Sequence, residues 1–354
     1  MQTVQSIVVH QRGGYEQLRL ESRPASALAS GSVRVDVEAI GVNYADCIVR
    51  MGLYKSAKEF VGWPITPGFE VAGTVTEVAD DVSDLSVGDP VMAVTRFGGY
   101  TTQLCVPRSQ VFARPKGFGA AASAAFSGVH LTADYAISEL AGVREGDAIL
   151  VHSAAGGVGT VLVQLGRHLG CRVVGVVGRG HKVDVVRALG ADAVIDKSST
   201  DLWTEAEQFA PKGYKAIFDA NGVATLRHSY EHLMPPGRVV VYGFATMLPK
   251  AGERMNYLKL AWDWLRTPRF NPMALTGENR SVMGFNLSYM FDQADLLERS
   301  MARLHARVDA GALQPPPIAT YPLSEVGRAH RDLESGQTVG KLVLVPDALY
   351  AGAS

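Results

Sequence analysis

Residues 148–170 read AILVHSAAGGVGTVLVQLGRHLG. A short apolar run, a glycine-rich turn and a helix-like stretch follow one another without a break. The turn sets Ala154, Gly156 and Gly159 in an A-x-G-x-x-G arrangement, with Ala155, Gly157 and Val158 between them. This is one substitution from the dinucleotide-binding form. Its glycines permit a tight turn, let backbone approach a pyrophosphate, and allow close helix–strand packing. The helix that opens there offers unpaired N–H groups and a positive dipole end to phosphates. A bare glycine triplet is a common turn, but here a strand precedes it and a helix and second strand follow.

Outward from this turn, β-branched runs begin at Ala148, Arg172, Ala193, Ala216 and Arg238. Helix-like stretches lie between them: Val158–Leu169, Lys182–Leu189, Asp201–Ala210 and Ala224–Met234. Apolar strands alternating with helices at this spacing indicate a parallel, doubly wound α/β sheet covered on both faces. A sixth strand, SVMGFNL from Ser281, arrives after an insertion, Ala245–Arg280, that carries YLKLAWDWL and reads as one amphipathic helix plus loop. Its Trp262 and Trp264 read as packing or interface residues. Residues 1–125 differ: SIVVH, VRVDVEAI, VAGTVTEV, DPVMAVT and TTQLCVP alternate between turn residues, as in a compact β domain. The tail carries a helix over Asp295–Ala310, a break at Pro315–Pro317, a second helix near Leu323–Leu333 and a last strand, KLVLVP. A free strand would expose an unpaired edge, so the tail is expected to return to the N-terminal domain. The expected division is 1–125 completed by 291–354, and 126–290.

The end of the second strand selects among nucleotides. An NAD site places Asp or Glu there to accept from the ribose 2′-hydroxyl. This chain has Gly178 at that place, then Arg179 and Lys182, with Lys197 beyond the third strand. Cations pair with a 2′-phosphate that an acid would repel. Cations at a helix start also oppose its dipole, which argues against a purely structural role. The pattern predicts NADPH.

Composition narrows the rest. The chain has 354 residues, 47% hydrophobic, enough for two cores and against wholesale disorder. Lys plus Arg (34) nearly balances Asp plus Glu (35), which is not the basic excess of a nucleic-acid binder. Cys47, Cys105 and Cys171 are too far apart for a zinc finger or a disulfide framework, and their odd number fits a reducing cytoplasm. No apolar stretch is long enough for a transmembrane helix, and the first residues do not read as a secretory signal.

GVNYADCIVRMGLY, PGFEVAGTVTEV, VGDPVMA, LVHSAAGGVG, YGFA and GKLVLVP, spread in order over nearly the whole chain, resemble the medium-chain dehydrogenase/reductase superfamily in its zinc-free quinone oxidoreductase branch. The insertion with NRSVMGFNLSY looks closest to vesicle-amine-transport-protein-like members. The resemblance implies a GroES-like catalytic domain plus a Rossmann domain, an active site in the cleft between them, NADPH, and a homodimer. By family position Thr132, Asn221, Gly243, Phe244, Phe285, Asn286 and Lys341 would line the cofactor cleft, and Asn43, Asp46 and Tyr54 would lie near the nicotinamide. Zinc-dependent relatives place a Cys and a His where this chain has Asn43 and Phe69, neither of which suits Zn²⁺. Without a Lewis acid, hydride delivery to an already activated quinone or α,β-unsaturated carbonyl remains.

Asn43 and Tyr54 are the catalytic candidates. Tyr54 could donate to a substrate oxygen or merely pack the cleft. For Asp46 an Asx-type turn is favoured over catalysis. One rival motif, H-x-x-E-H at His228–His232, matches an inverted zinc-protease pattern, but Leu226, Tyr230 and Leu233 set the apolar face and the histidines fall on the other side. The reading is a solvated helix face and no metal. The alternative to a reductase is a non-enzymatic protein whose nucleotide pocket regulates association with a partner or membrane surface.

Overall fold

In the N-terminal region alternation dictates strands. Val33, Val35 and Val37 turn inward and Asp36 turns out along one of them, the period of two that a half-buried sheet requires. The strands are β1 (Thr3–Val8), β2 (Arg19–Pro24), β3 (Ser32–Val42), β4 (Glu70–Val78), β5 (Pro90–Val94), β6 (Gln103–Pro107) and β7 (Val111–Ala113). Short helices Tyr44–Arg50 and Lys55–Phe60 fill the β3–β4 connection. The computed structural model describes residues 3–249, 251–253 and 255–350. It divides into two units, Met1–Leu131 with Leu287–Ser354, and Thr132–Asn286.

The second unit carries the parallel strands β8 (Ala148–Val151), β9 (Arg172–Val177), β10 (Ala193–Asp196), β11 (Tyr214–Asp219), β12 (Leu233–Val241) and β13 (Arg280–Gly284). Their order is β10-β9-β8-β11-β12-β13, every pairing parallel. The apolar core runs through Leu150, Val174, Ile195, Ile217 and Val239 on the strands and Leu202, Ala206 and Leu226 on the covering helices. This is a Rossmann sheet. Two details depart from the sequence reading. The fourth helix is Leu226–Glu231, not Ala224–Met234, because Leu233 already pairs with Tyr214 and Pro235 and Pro236 cannot continue a helix. The insertion holds two helices, Tyr257–Arg266 and Pro272–Glu278. The second is set by its ends alone: Asn271 accepts from Met273 N–H, Pro272 opens the first turn, and Asn279 closes it at φ 52°.

The first of these helices is amphipathic with its polarity reversed. Asp263 is buried and takes the Lys259 ammonium at 2.5 Å, while Leu258 (85%), Trp262 (60%), Trp264 (64%) and Leu265 (59%) face outward. The two tryptophans therefore do not pack within the chain. Among the described residues no helix is long and apolar enough to cross a membrane.

The chain then completes its first unit with the helix Ala294–Asp309, β14 (Ile318–Pro322), the helix Val326–Glu334 and β15 (Lys341–Val345). The sheet runs β14-β15-β3-β4-β5-β7, with β6 also on β3. β15 is antiparallel to β3 through Leu342↔Val42 and Leu344↔Ile40, so the tail's only long apolar run is buried beside Val71, Val91 and Val106. This is the GroES-like domain. The pairing puts the first residue of β15, Lys341, beside the last residues of β3.

Candidate active site

The quoted turn leaves β8 through Ser153, which sits in the left-handed region at φ 54°. For a residue with a Cβ this conformation is strained and needs support. Ser153 C=O accepts from Gly156 N–H at 2.9 Å, and Ser153 Oγ donates to Asn221 Oδ1 at 3.1 Å. Gly156 then caps the helix Gly157–His168. Its first-turn N–H groups have no acceptor inside the helix and point out of its N-terminus.

Two glycines of the turn have different jobs. A Cβ on Gly159 would lie 2.3 Å from Ser153 O and 2.7 Å from Ala154 Cα, so the fold itself requires glycine there. A Cβ on Gly156 would meet only Ser153 O, at 3.2 Å. The protein nearly tolerates a side chain at Gly156, which leaves space over that backbone for a ligand. Asn221 is buried with its Oδ1 taken by Ser153 and its Nδ2 without a partner. A buried donor left unbonded is costly, so Nδ2 is suited to an acceptor brought by a ligand.

The cations gather at the ends of β9 and β10. Lys182 is partly buried, and burial first and the Arg179 charge second push its ammonium pKa down. A Cβ on Gly178 would lie 3.6 Å from Lys197 Cε, so Lys197 reaches across to the end of β9. Asp196 Oδ2 lies nearby, 3.4 Å from a Cβ on Gly180, and its other oxygen accepts from Ser198 N–H and Oγ. Topology places the rest. The 154–159 turn follows β8, Gly178–Lys182 follows β9, Lys197 β10, Asn221 β11, Gly243 and Phe244 β12, and Phe285 and Asn286 β13. All lie off the carboxyl edge of one parallel sheet, where α/β sheets bind ligands. Phe285 packs against Tyr135 at 4.9 Å between ring centroids. Thr132, by contrast, stands on the helix Ser127–Asp134.

In the first unit, Lys341 is not on a surface. It is 3% exposed, donates to Val42 O (2.8 Å) and Asn43 Oδ1 (2.6 Å), and pairs its charge with Glu70 Oε1 at 2.6 Å. Asn43 Nδ2 donates to the same Glu70 Oε1 at 2.8 Å. Glu70 Oε2 accepts from Gly128 N–H and Ser127 Oγ. Glu70 is a member of this site that sequence reading missed. Its signal was a carboxylate opening a buried apolar strand.

Asp46 forms no Asx turn. It is the third residue of the helix Tyr44–Arg50 and accepts from Asn43 N–H and Gly68 N–H, both at 2.8 Å. Burial pushes its pKa up to about 7 against those donors and Tyr100. The role is structural, tying the start of the helix to Gly68. Tyr54 packs edge-on against Phe69 and Phe97, with centroids at 5.7 and 6.3 Å. Phe69 and Phe97, with centroids at 5.2 Å, thus form an aromatic wall against Tyr54.

Metal donors converge elsewhere. Cys47, His330 and Glu334 bring ligand atoms within 4.8 Å of one another, all buried. The Arg50 guanidinium already bonds His330 Nδ1 and Glu334 Oε1, so a cation is in place. His228 and His232 lie over Trp203, His232 stacked at 4.3 Å, and each faces a glutamate, Glu231 and Glu207.

Residues 29–139 match the alcohol dehydrogenase GroES-like domain and residues 189–344 match the family described as zinc-binding dehydrogenase. The synaptic vesicle membrane protein VAT-1 homolog of Rattus norvegicus is 34% identical over 94% of this chain and 82% of its own length. A 2-haloacrylate reductase of a Burkholderia species is 30% identical over 98% of this chain and all of its own. Among solved structures, Escherichia coli quinone oxidoreductase in complex with NADPH superposes with a TM-score of 0.84 at 25% identity, covering 97% of this chain and 100% of that one.

Proposed function

Because the chain belongs to the medium-chain dehydrogenase/reductase superfamily, we propose that it is an NADPH-dependent, zinc-independent reductase of quinones or α,β-unsaturated carbonyl compounds. The observation that carries this reading is the convergence of the phosphate turn and of Arg179, Lys182 and Lys197 on one sheet edge. Two named relatives support the acceptor class: a quinone oxidoreductase, and a reductase whose substrate is an alkene conjugated to a carboxyl group.

NADPH supplies the hydride when bound. The backbone from Gly156 to Gly159 and the helix N-terminus receive its pyrophosphate. Arg179, Lys182 and Lys197 take its 2′-phosphate, and Asn221 Nδ2 gains an acceptor. Gly178, Gly243, Phe244, Phe285, Asn286 and Thr132 line the remainder. Asn43 and Tyr54 address the substrate. Negative charge develops on a quinone or enone oxygen as the conjugated carbon is reduced, and hydrogen-bond donors there lower the barrier. By family position Asn43 and Phe69 stand where zinc-dependent relatives carry ligands, so the Asn43 and Tyr54 donors would replace a Lewis acid.

Turnover of NADPH against a panel of quinones, enones and alkenoic acids tests the reading, with NADH as control. A second reading, a nucleotide-regulated protein that binds a partner or membrane, is favoured by the outward apolar face of Tyr257–Arg266. NADPH binding without turnover on any acceptor would select it.

A further inference from the structure

The Asn43 carboxamide can be oriented from its neighbours alone. An ammonium only donates and a carboxylate only accepts. Lys341 Nζ lies 2.6 Å from Asn43 Oδ1, and Glu70 Oε1 lies 2.8 Å from Asn43 Nδ2. Flipping the amide would set N–H₂ against the ammonium and C=O against the carboxylate. The flipped state is therefore excluded electrostatically, and one rotamer is held from both sides.

The network that holds it is closely knit. Lys341 donates to Val42 O and Asn43 Oδ1 and pairs its charge with Glu70 Oε1. Glu70 takes Lys341 and Asn43 on one oxygen and Gly128 N–H and Ser127 Oγ on the other. The Asn43 main chain is fixed as well, its N–H bonded to Asp46 Oδ2. Glu70 and Lys341 are almost wholly buried, whereas Asn43 is partly exposed. A buried ion pair is expensive to assemble and often adds no stability over an apolar pair, so its value must lie elsewhere. Here both charges meet on the one side chain that reaches the surface.

We infer that Lys341 and Glu70 are positioning residues: they lock Asn43 so that its second Nδ2 N–H, the one not given to Glu70, is the donor presented to the oxygen of the carbonyl or quinone acceptor. This rests on the reductase reading. It also assigns Lys341 a task other than holding cofactor phosphate, since its buried ammonium is enclosed by Val42 O, Asn43 Oδ1 and the Glu70 carboxylate inside the domain. Glu70 polarises the amide through its first N–H and Lys341 through its carbonyl oxygen, which makes the remaining N–H a stronger donor.

The test is a kinetic cycle. Asn43→Ala removes the donor. Lys341→Met alone strands the Glu70 carboxylate and endangers folding, so it is combined with Glu70→Gln, which discharges both positions at similar volume. Asn43→Ala should lower kcat about 100-fold with KM for the acceptor little changed, as for loss of a single donor to a developing oxyanion. The Lys341→Met/Glu70→Gln protein should lose about tenfold or more, and the variant that combines it with Asn43→Ala should lose in total no more than Asn43→Ala does by itself. NADPH affinity, read by titration, should be unchanged in all three. Multiplicative losses, or wild-type kcat in the discharged pair, would overturn the inference. So would a fall in NADPH affinity larger than that for NADH, which would make Lys341 a phosphate ligand. A wild-type protein that reduces no acceptor would instead remove the reductase reading, and this inference with it.

Discussion

Lys341 and Lys182 are lysines in the two units of one chain, and their surroundings are opposite. Lys341 is enclosed with a carboxylate and two further oxygens. Lys182 is half-buried with Arg179 as its charged neighbour, and its ammonium is destabilised by both. An enclosed cation paired with a carboxylate is suited to hold its own protein in place. A cation set beside another cation at a sheet edge is suited to an anionic ligand. The company a basic residue's charge keeps thus gives a contrast that can be tested within one molecule.

The strongest way to break this contrast is at the turn proposed to hold the pyrophosphate. Gly156→Val puts a branched side chain over the backbone where the structure leaves space, at an extended φ of −84°. The protein should fold with a near-normal Tm and show no thermal shift with NADPH. Wild type at about 100 times its Kd should gain roughly 2.7 kcal/mol. Gly159→Val should instead lower Tm without ligand, because its Cβ meets backbone at 2.3 Å. A full NADPH shift in Gly156→Val would place the nucleotide elsewhere.

Next comes the cation pair itself. Arg179→Ala with Lys182→Ala should weaken NADPH about tenfold or more, one charged hydrogen bond being worth about 1.5–3 kcal/mol, and leave NADH nearly unchanged. An unaltered NADPH/NADH ratio by competitive titration would misplace the 2′-phosphate.

A smaller effect concerns buried histidines. Burial lowers the His130 pKa to about 3, against an ordinary value of 6.5, and its ring stacks on Phe126 at 3.8 Å. The folded state thus binds fewer protons than the unfolded chain between those values. Stability from this group is complete above pH 6.5 and is lost as pH falls toward 3. His130→Phe, which keeps the stack, should flatten the acid limb of stability against pH measured in urea. A limb as steep as wild type would assign acid lability to other groups. Least of all should chelators matter: turnover should survive them, with well under one zinc per chain by elemental analysis. Stoichiometric zinc whose removal abolishes turnover would return Lewis-acid chemistry to the site.

The Rossmann fold of the nucleotide half was legible because its signals are local. The turn, the strand ends and Arg179 all follow from spacing within a few residues. The other half was not, and the Asn43 network shows why: Lys341 and Asn43 are 298 positions apart and meet only because β15 pairs with β3. Sequence placed Lys341 by family position at the cofactor, and nothing local to it could reveal the oxygens that enclose it. β14 escaped for a related reason. IATYP is short, mostly solvent-facing and hemmed by prolines, so its strand state comes from β15 beside it. The helix Pro272–Glu278 buries nothing, so no apolar period could announce it.

The reversed helix Tyr257–Arg266 also sets how this protein will look to light. Two of its four indoles, Trp262 and Trp264, stand in solvent on that helix, and Trp63 is 40% exposed. Only Trp203 is shielded, beneath the rings of His228 and His232. Emission from the native state will already be red, so unfolding will move it little, and tryptophan fluorescence will be a poor gauge of stability. A blue shift, when it comes, will report that something has covered the 257–266 helix.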